Sequence, residues 1–188
     1  MCLITIFTLC TNVRNKPPFR GNLLQNPPKM DDDLNLLIEE AILLEQNVAD
    51  LYLLFYRLFP QDSRFWWKLS LEEQNHAALL KTVFQMKETR VKVPEDFLPT
   101  QLKALKEVNQ MLQESISDME DAPDRVRAFH LSYAIENSAG ERHYDAFMKQ
   151  GTKSPVSEVF RKLNGDDIDH AARILQYMKE NHIEPPEY

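Results

Sequence analysis

Apolar residues recur at helical spacing along five stretches of the chain, and nowhere do they alternate with polar ones as in a half-buried strand. The first stretch, about Asp33 to Phe59, carries a stripe of Leu34, Leu37, Ile38, Ala41, Leu44, Val48, Tyr52 and Phe55. Asp31 to Asp33 place negative charge at its positive end, Pro60 and Gln61 make a turn, and Asp62 or Ser63 is placed to cap the next helix. That second helix, about Arg64 to Glu88, carries Phe65, Leu69, Leu80 and Val83. Two prolines break the pattern between Val91 and Pro99. A shorter amphipathic segment, Thr100 to about Met119, then aligns Leu102, Leu105, Val108, Asn109, Leu112 and Ile116. After a second break at Met119–Pro123, a long helix to about Gln150 carries Val126, Phe129, Tyr133, Gly140, His143, Tyr144 and Phe147. The last helix, about Pro155 to Asn181, carries Val156, Phe160, Leu163, Ile174 and Tyr177.

The fold class is therefore all-α. Four long helices, with short turns inside each pair and a long link between the pairs, predict a four-helix bundle with one long crossover that contains an extra short helix. The two pairs also resemble each other, which suggests a duplicated helical hairpin.

Composition narrows the picture further. Only 4 glycines in 188 residues favour helix over sheet, and that length suits one domain with a sizeable core. Residues 1–29 hold both cysteines, Cys2 and Cys10, and a run rich in Pro and Asn without period. They read as a disordered tail or as a start site placed too early, which leaves residues 30–188 as the folded domain. The opening apolar run is too short to span a bilayer and lacks the basic residues of a secretory signal. A formal charge of -7 without a basic cluster argues against nucleic acid, and no membrane partner is expected; the acidity is ordinary for a cytoplasmic protein.

Charged residues interrupt the apolar stripes at matching places. They are Glu45 in the first long helix, Glu73 with His76 in the second, Glu136 in the third, and Asp167 with His170 in the fourth. A carboxylate is almost never buried unless it is paired or binds metal, because its desolvation costs several kcal/mol or more. An acid placed three residues before a His shares its helix face, so both can reach one cation. A solvated Glu–His pair is the ordinary reading of one such spacing. Of the five histidines, however, only His76 and His170 have an acid three residues before them, and both pairs fall on apolar stripes. Four carboxylates and two imidazoles suit two adjacent irons, with Zn or Mn as other divalent occupants. The set matches the ligand pattern known for di-iron bundles in general.

The segments Glu45 to Tyr52, Glu73 to Ala77, Ala134 to Tyr144 and Asp167 to His170 together resemble the rubrerythrin-like branch of the ferritin-like superfamily, over about residues 34–180. The resemblance implies a di-iron centre that reacts with peroxide or dioxygen. It makes Glu45 and Glu136 terminal ligands, Glu73 and Asp167 bridging ones, and His76 and His170 terminal nitrogen ligands. Tyr52 and Tyr144 are placed to hydrogen-bond a ligand or to donate electrons, although packing is the commoner role of a core tyrosine. The resemblance also allows a homodimer.

Three departures stand out. Rubrerythrins carry a cysteine-ligated iron domain for electron delivery, but no cysteine lies beyond Cys10, so an external reductant protein is implied. Ala139 stands where an extra carboxylate is expected, and Asp167 stands where Glu is expected. Asn164-Gly165 just before Asp167 could kink the helix and offset the shorter side chain. The alternatives are a di-iron hydroxylase or oxygenase acting on an organic substrate, and a non-enzymatic, metal-stabilised bundle.

Overall fold

The structure is a computed structural model, and it describes residues 30–85, 97–142 and 155–186, with the side chains near some helix ends left out. It is all-helical, with no strand among the described residues. The helices are α1 (Met30–Leu58), α2 (Ser63–Gln85), α3 (Phe97–Asp121), α4 (Arg125–Arg142) and α5 (Pro155–Glu180). A 3-10 turn, Pro60–Asp62, joins α1 to α2. The proline suits the first position of that turn, where its missing N–H is not needed. The tail assigned to residues 1–29 lies outside the described residues.

Helix α1 packs along both α2 and α3, α4 packs on α5, and α2 meets α5. These contacts follow from the apolar stripes: Leu37, Ile38, Ala41, Leu44, Val48, Tyr52 and Phe55 of α1 are all buried. Two differences from the sequence pattern have physical reasons. The intervening helix α3 is 25 residues long instead of short. Pro99 falls in its first turn, where proline fits a helix, so the break ends before Phe97. In α4 the core face runs through Ala128, Phe129, Ser132, Ile135 and Glu136, which leaves Val126 45% exposed at the helix start.

Helix α3 docks on α1 partly through a polar seam. The amide of Asn47 donates to Asn109 Oδ1 at 2.9 Å, Asn109 donates to the Glu40 backbone carbonyl, and Gln113 donates to Asn47 Oδ1. Buried amides satisfied only in one alignment penalise any slip of α3 along α1.

An aromatic cluster fills one end of the core. Trp66, Tyr52, Phe55 and Phe129 are fully buried, each burial worth roughly 2–3 kcal/mol. Trp67, by contrast, lies outside, against Tyr56. Beside the cluster, buried Asp62 accepts two hydrogen bonds from Arg125, at 2.7 and 2.9 Å, and one from the Tyr177 hydroxyl at 3.1 Å. This clamp ties the α1–α2 turn to the start of α4 and the end of α5. Asp124 caps α4 by accepting from the Arg127 N–H. Just beyond the end of α5, His182 has a φ of 54°, which lets the Ile183 N–H reach the Met178 carbonyl and tucks Ile183 into the core.

No described helix is long and apolar enough to cross a membrane.

Candidate metal centre

Seven residues, or about two turns, along each helix from Tyr52, Trp66 and Phe129, the interrupting charges Glu45, Glu73 and Glu136 converge with those of α5. Glu45, Glu73, His76, Glu136, Asp167 and His170 are each buried, at most 4% exposed. The 3.6-residue period makes this possible: Leu69, Glu73, His76 and Leu80 lie on one face of α2, and Leu163, Asp167, His170 and Ile174 on one face of α5.

Glu73 is the centre of the arrangement. Its Oε2 lies 3.1 Å from His76 Nδ1, and its Oε1 lies 2.6 Å from His170 Nδ1. Glu45 Oε2 stands 3.4 Å from His76 Nδ1, and Glu136 Oε2 stands 3.5 Å from His170 Nδ1. Asp167 Oδ1 is 3.9 Å from His76 Nδ1. The imidazole rings face each other with centroids 5.3 Å apart. Two groups can each hold a cation, Glu45–Glu73–His76 and Glu73–Asp167–His170, and Glu73 belongs to both.

Hydrogen bonding accounts for only part of this cluster. Glu73 Oε1, Asp167 Oδ2 and His170 Nδ1 are buried without a hydrogen-bond partner, even though two of them are 2.6 Å apart. Such atoms are costly to leave unpaired, and all three are atoms that ligate metals.

The electrostatics agree. Burial lowers the affinity of both histidines for protons, but Glu45 and Glu73 outweigh it at His76, raising its pKa to about 11. Glu136 and Glu73 do the same at His170, raising it to about 10. Burial pushes Asp167 well above the ordinary carboxyl range, with the charges of Glu45, Glu136 and Glu73 adding to it. Burial and Glu73 raise Glu136 as well. All four shifts favour the protonated form. A pair of divalent ions would bring four positive charges to four carboxylates and leave both imidazoles neutral.

The outer nitrogens reveal two residues that the sequence reading missed. His76 Nε2 lies 3.2 Å from Asp166 Oδ2, and His170 Nε2 lies 3.4 Å from Glu72 Oε2. Each acid directly precedes a cluster carboxylate and serves the histidine of the other hairpin. Asp166 is paired with Lys162, and Glu72 with Arg173 at 2.5 Å. A carboxylate on the far nitrogen fixes the ring and makes its inner nitrogen a better ligand. The signal was present as acid doublets, Glu72-Glu73 and Asp166-Asp167, at the same distance before each His.

Tyr52 also joins the site, since its hydroxyl donates to Glu136 Oε1 at 2.5 Å. Its pKa is raised well above the usual value by burial and by the charges of Glu136 and Glu73, so it stays a protonated donor. Tyr144 and His143 lie outside the described residues, as does the side chain of Ala139. Helix α5 is continuous through Gly165, and a Cβ built there would meet nothing within 4 Å.

No family model matches the chain, and neither a curated protein nor a solved structure does.

Proposed function

We propose that the six-residue cluster is a di-iron centre in a ferritin-like, rubrerythrin-like bundle that reduces peroxide or dioxygen with electrons from an external donor. The observation that carries this reading is Glu73, whose two oxygens face two different imidazoles, each completed by a further buried carboxylate. A bridging carboxylate between two nitrogen-capped sites is what two adjacent irons need.

Glu45, Glu73 and His76 would hold one ion, and Glu73, Asp167 and His170 the other, with Glu136 beside His170. When bound, iron supplies the redox chemistry and the Lewis acidity that polarises an oxygen species. The chain supplies the rest. Asp166 and Glu72 hold the imidazoles in orientation, Tyr52 holds Glu136, and the packed aromatic cluster keeps water from that side of the site. Tyr52 is also a proton donor within reach of a carboxylate that faces the site.

The test is anaerobic loading with Fe(II) followed by mixing with hydrogen peroxide or with dioxygen. The reading expects iron to be retained through gel filtration and to oxidise within seconds of peroxide addition. Protein that retains no iron, or iron inert to both oxidants, would exclude it.

A further inference from the structure

A line of aromatic side chains leads away from the cluster toward the surface. Tyr52, hydrogen-bonded to Glu136, stacks on Trp66 with ring centroids 5.6 Å apart. Trp66 contacts Phe129 at 4.5 Å and Phe65 at 5.1 Å. Both phenylalanines stack on Tyr177, at 5.5 and 4.1 Å, so Trp66 and Tyr177 are one ring apart by two routes. Tyr177 is only partly buried and lines a groove of about 220 Å³ between α2 and α5, with Phe65, Lys68 and Arg173.

Packing explains an aromatic core but not the placement of its polar atoms. The three rings of low oxidation potential stand in order, and the two that must lose a proton on oxidation each face a carboxylate. Tyr52 donates to Glu136, and Tyr177 donates to buried Asp62. Trp66, between them, has no protein acceptor at Nε1 to take its proton, which favours oxidation with the proton retained.

We propose that Tyr52, Trp66 and Tyr177 form an electron path joining the metal pair to the α2–α5 groove, where a one-electron donor outside the protein reduces the site. The inference rests on the di-iron reading. Once both irons are ferric, a further peroxide withdraws two electrons at the site; Tyr52 supplies one of them and passes its hydroxyl proton to Glu136 Oε1. Trp66 gives an electron to the tyrosyl radical, which takes its proton back from Glu136, and a tryptophan radical cation is left. Tyr177 gives an electron to Trp66 and its proton to Asp62. The donor then reduces Tyr177, which recovers its proton from Asp62. One electron crosses from donor to metal pair, and no proton is gained or lost along the path.

The experiment uses the iron-loaded chain oxidised with several equivalents of peroxide per iron pair, with ascorbate as the donor. Freeze-quench electron paramagnetic resonance without ascorbate should show a tyrosyl radical at Tyr177, lost in Tyr177→Phe and confined to Tyr52 in Trp66→Phe. Stopped-flow absorbance should show re-reduction by ascorbate slowed by roughly tenfold or more in both variants. Tyr56→Phe, outside the path, should behave as the parent. Iron content is measured in every sample, and the melting transition reports whether Trp66→Phe is folded; if it is not, Tyr177→Phe decides alone. Normal loading and oxidation with no protein radical and unchanged re-reduction would overturn the path while leaving the di-iron reading intact. A parent chain that binds no iron would overturn both.

Discussion

The two hairpins contribute equivalent side chains to the buried cluster but not equivalent geometry. Glu73, from α2, reaches both imidazoles, with one oxygen 3.1 Å from His76 and the other 2.6 Å from His170. Asp167, from α5, stands 3.9 Å from His76 Nδ1 and leaves Oδ2 without a hydrogen-bond partner. One methylene separates the two side chains, and the difference is large enough to give them different duties. Glu73 spans the centre, and Asp167 closes one side of it. The first hairpin also lends the second a hydroxyl, since Tyr52 of α1 holds Glu136 of α4. The site is assembled across the hairpins instead of being two copies side by side.

The largest expected effect follows from that asymmetry. Glu73→Ala removes the one residue common to both ligand groups, so bound metal should fall from about two ions per chain to near zero. Asp167→Ala should lose one ion and keep the other. Elemental analysis of both variants distinguishes the duties; equal losses would mean that the two carboxylates are interchangeable. Conservative exchanges sharpen the same point. Asp167→Glu should keep both ions, whereas Glu73→Asp should not, because the shorter chain cannot face both imidazoles.

Next in size are the outer acids. Glu72→Gln and Asp166→Asn should each weaken metal affinity by about 10–100-fold, the range typical when a carboxylate behind a ligating His is lost. A competition titration against a chelator reads this directly. Unchanged affinity would make these acids mere surface partners of Arg173 and Lys162.

Protonation gives a smaller, graded effect. The folded pKa values of His76, His170, Asp167 and Glu136 all lie above their ordinary values. Groups raised in the folded state stabilise the metal-free protein most below their ordinary values, and that stabilisation is lost as pH rises through the folded ones. The loss begins above about pH 4 for the carboxyls and above about pH 6.5 for the histidines, whose share is gone only past about 10 to 11. Metal, which needs the same atoms deprotonated, binds better as pH rises. The gain in melting temperature on adding Mn(II) should therefore be greater at pH 8 than at pH 6, and calorimetry giving the reverse order would contradict the account.

The smallest effect concerns Gly165, two residues before Asp167. Nothing would touch an added Cβ, so Gly165→Ala should raise stability by up to about 1 kcal/mol with metal content unchanged. A loss of metal in that variant would show instead that the glycine shapes the shorter side of the site, as the sequence suggested.

How much could be read before the structure depended on how strongly a residue violates its surroundings. Glu45, Glu73, His76, Glu136, Asp167 and His170 stood out because each is a charge on an apolar stripe, and all are buried together. Glu72 and Asp166 did not, because an acid at the flank of a stripe is indistinguishable from a solvated one until its partner on another helix is known. Asp62 is, with Ser63, one of two candidates by sequence to cap α2, yet its carboxylate is buried against Arg125 and Tyr177, partners remote in sequence. By sequence Tyr52 is open to packing or to a hydrogen bond with a site residue, and it does both, stacking on Trp66 and donating its hydroxyl to Glu136. The length of α3 was missed because Pro99 signals a break from outside a helix and a first turn from inside it. Periodicity fixes which face is buried, and it does not report what that face meets.

If Glu73 joins two metal sites, an anaerobic titration of the metal-free chain with Fe(II) will count both. Calorimetric heat should reach its end point at about two equivalents, with X-ray absorption placing the irons about 3.5–4 Å apart. An end point at one equivalent, or no binding heat, would contradict a Glu73 shared between two sites.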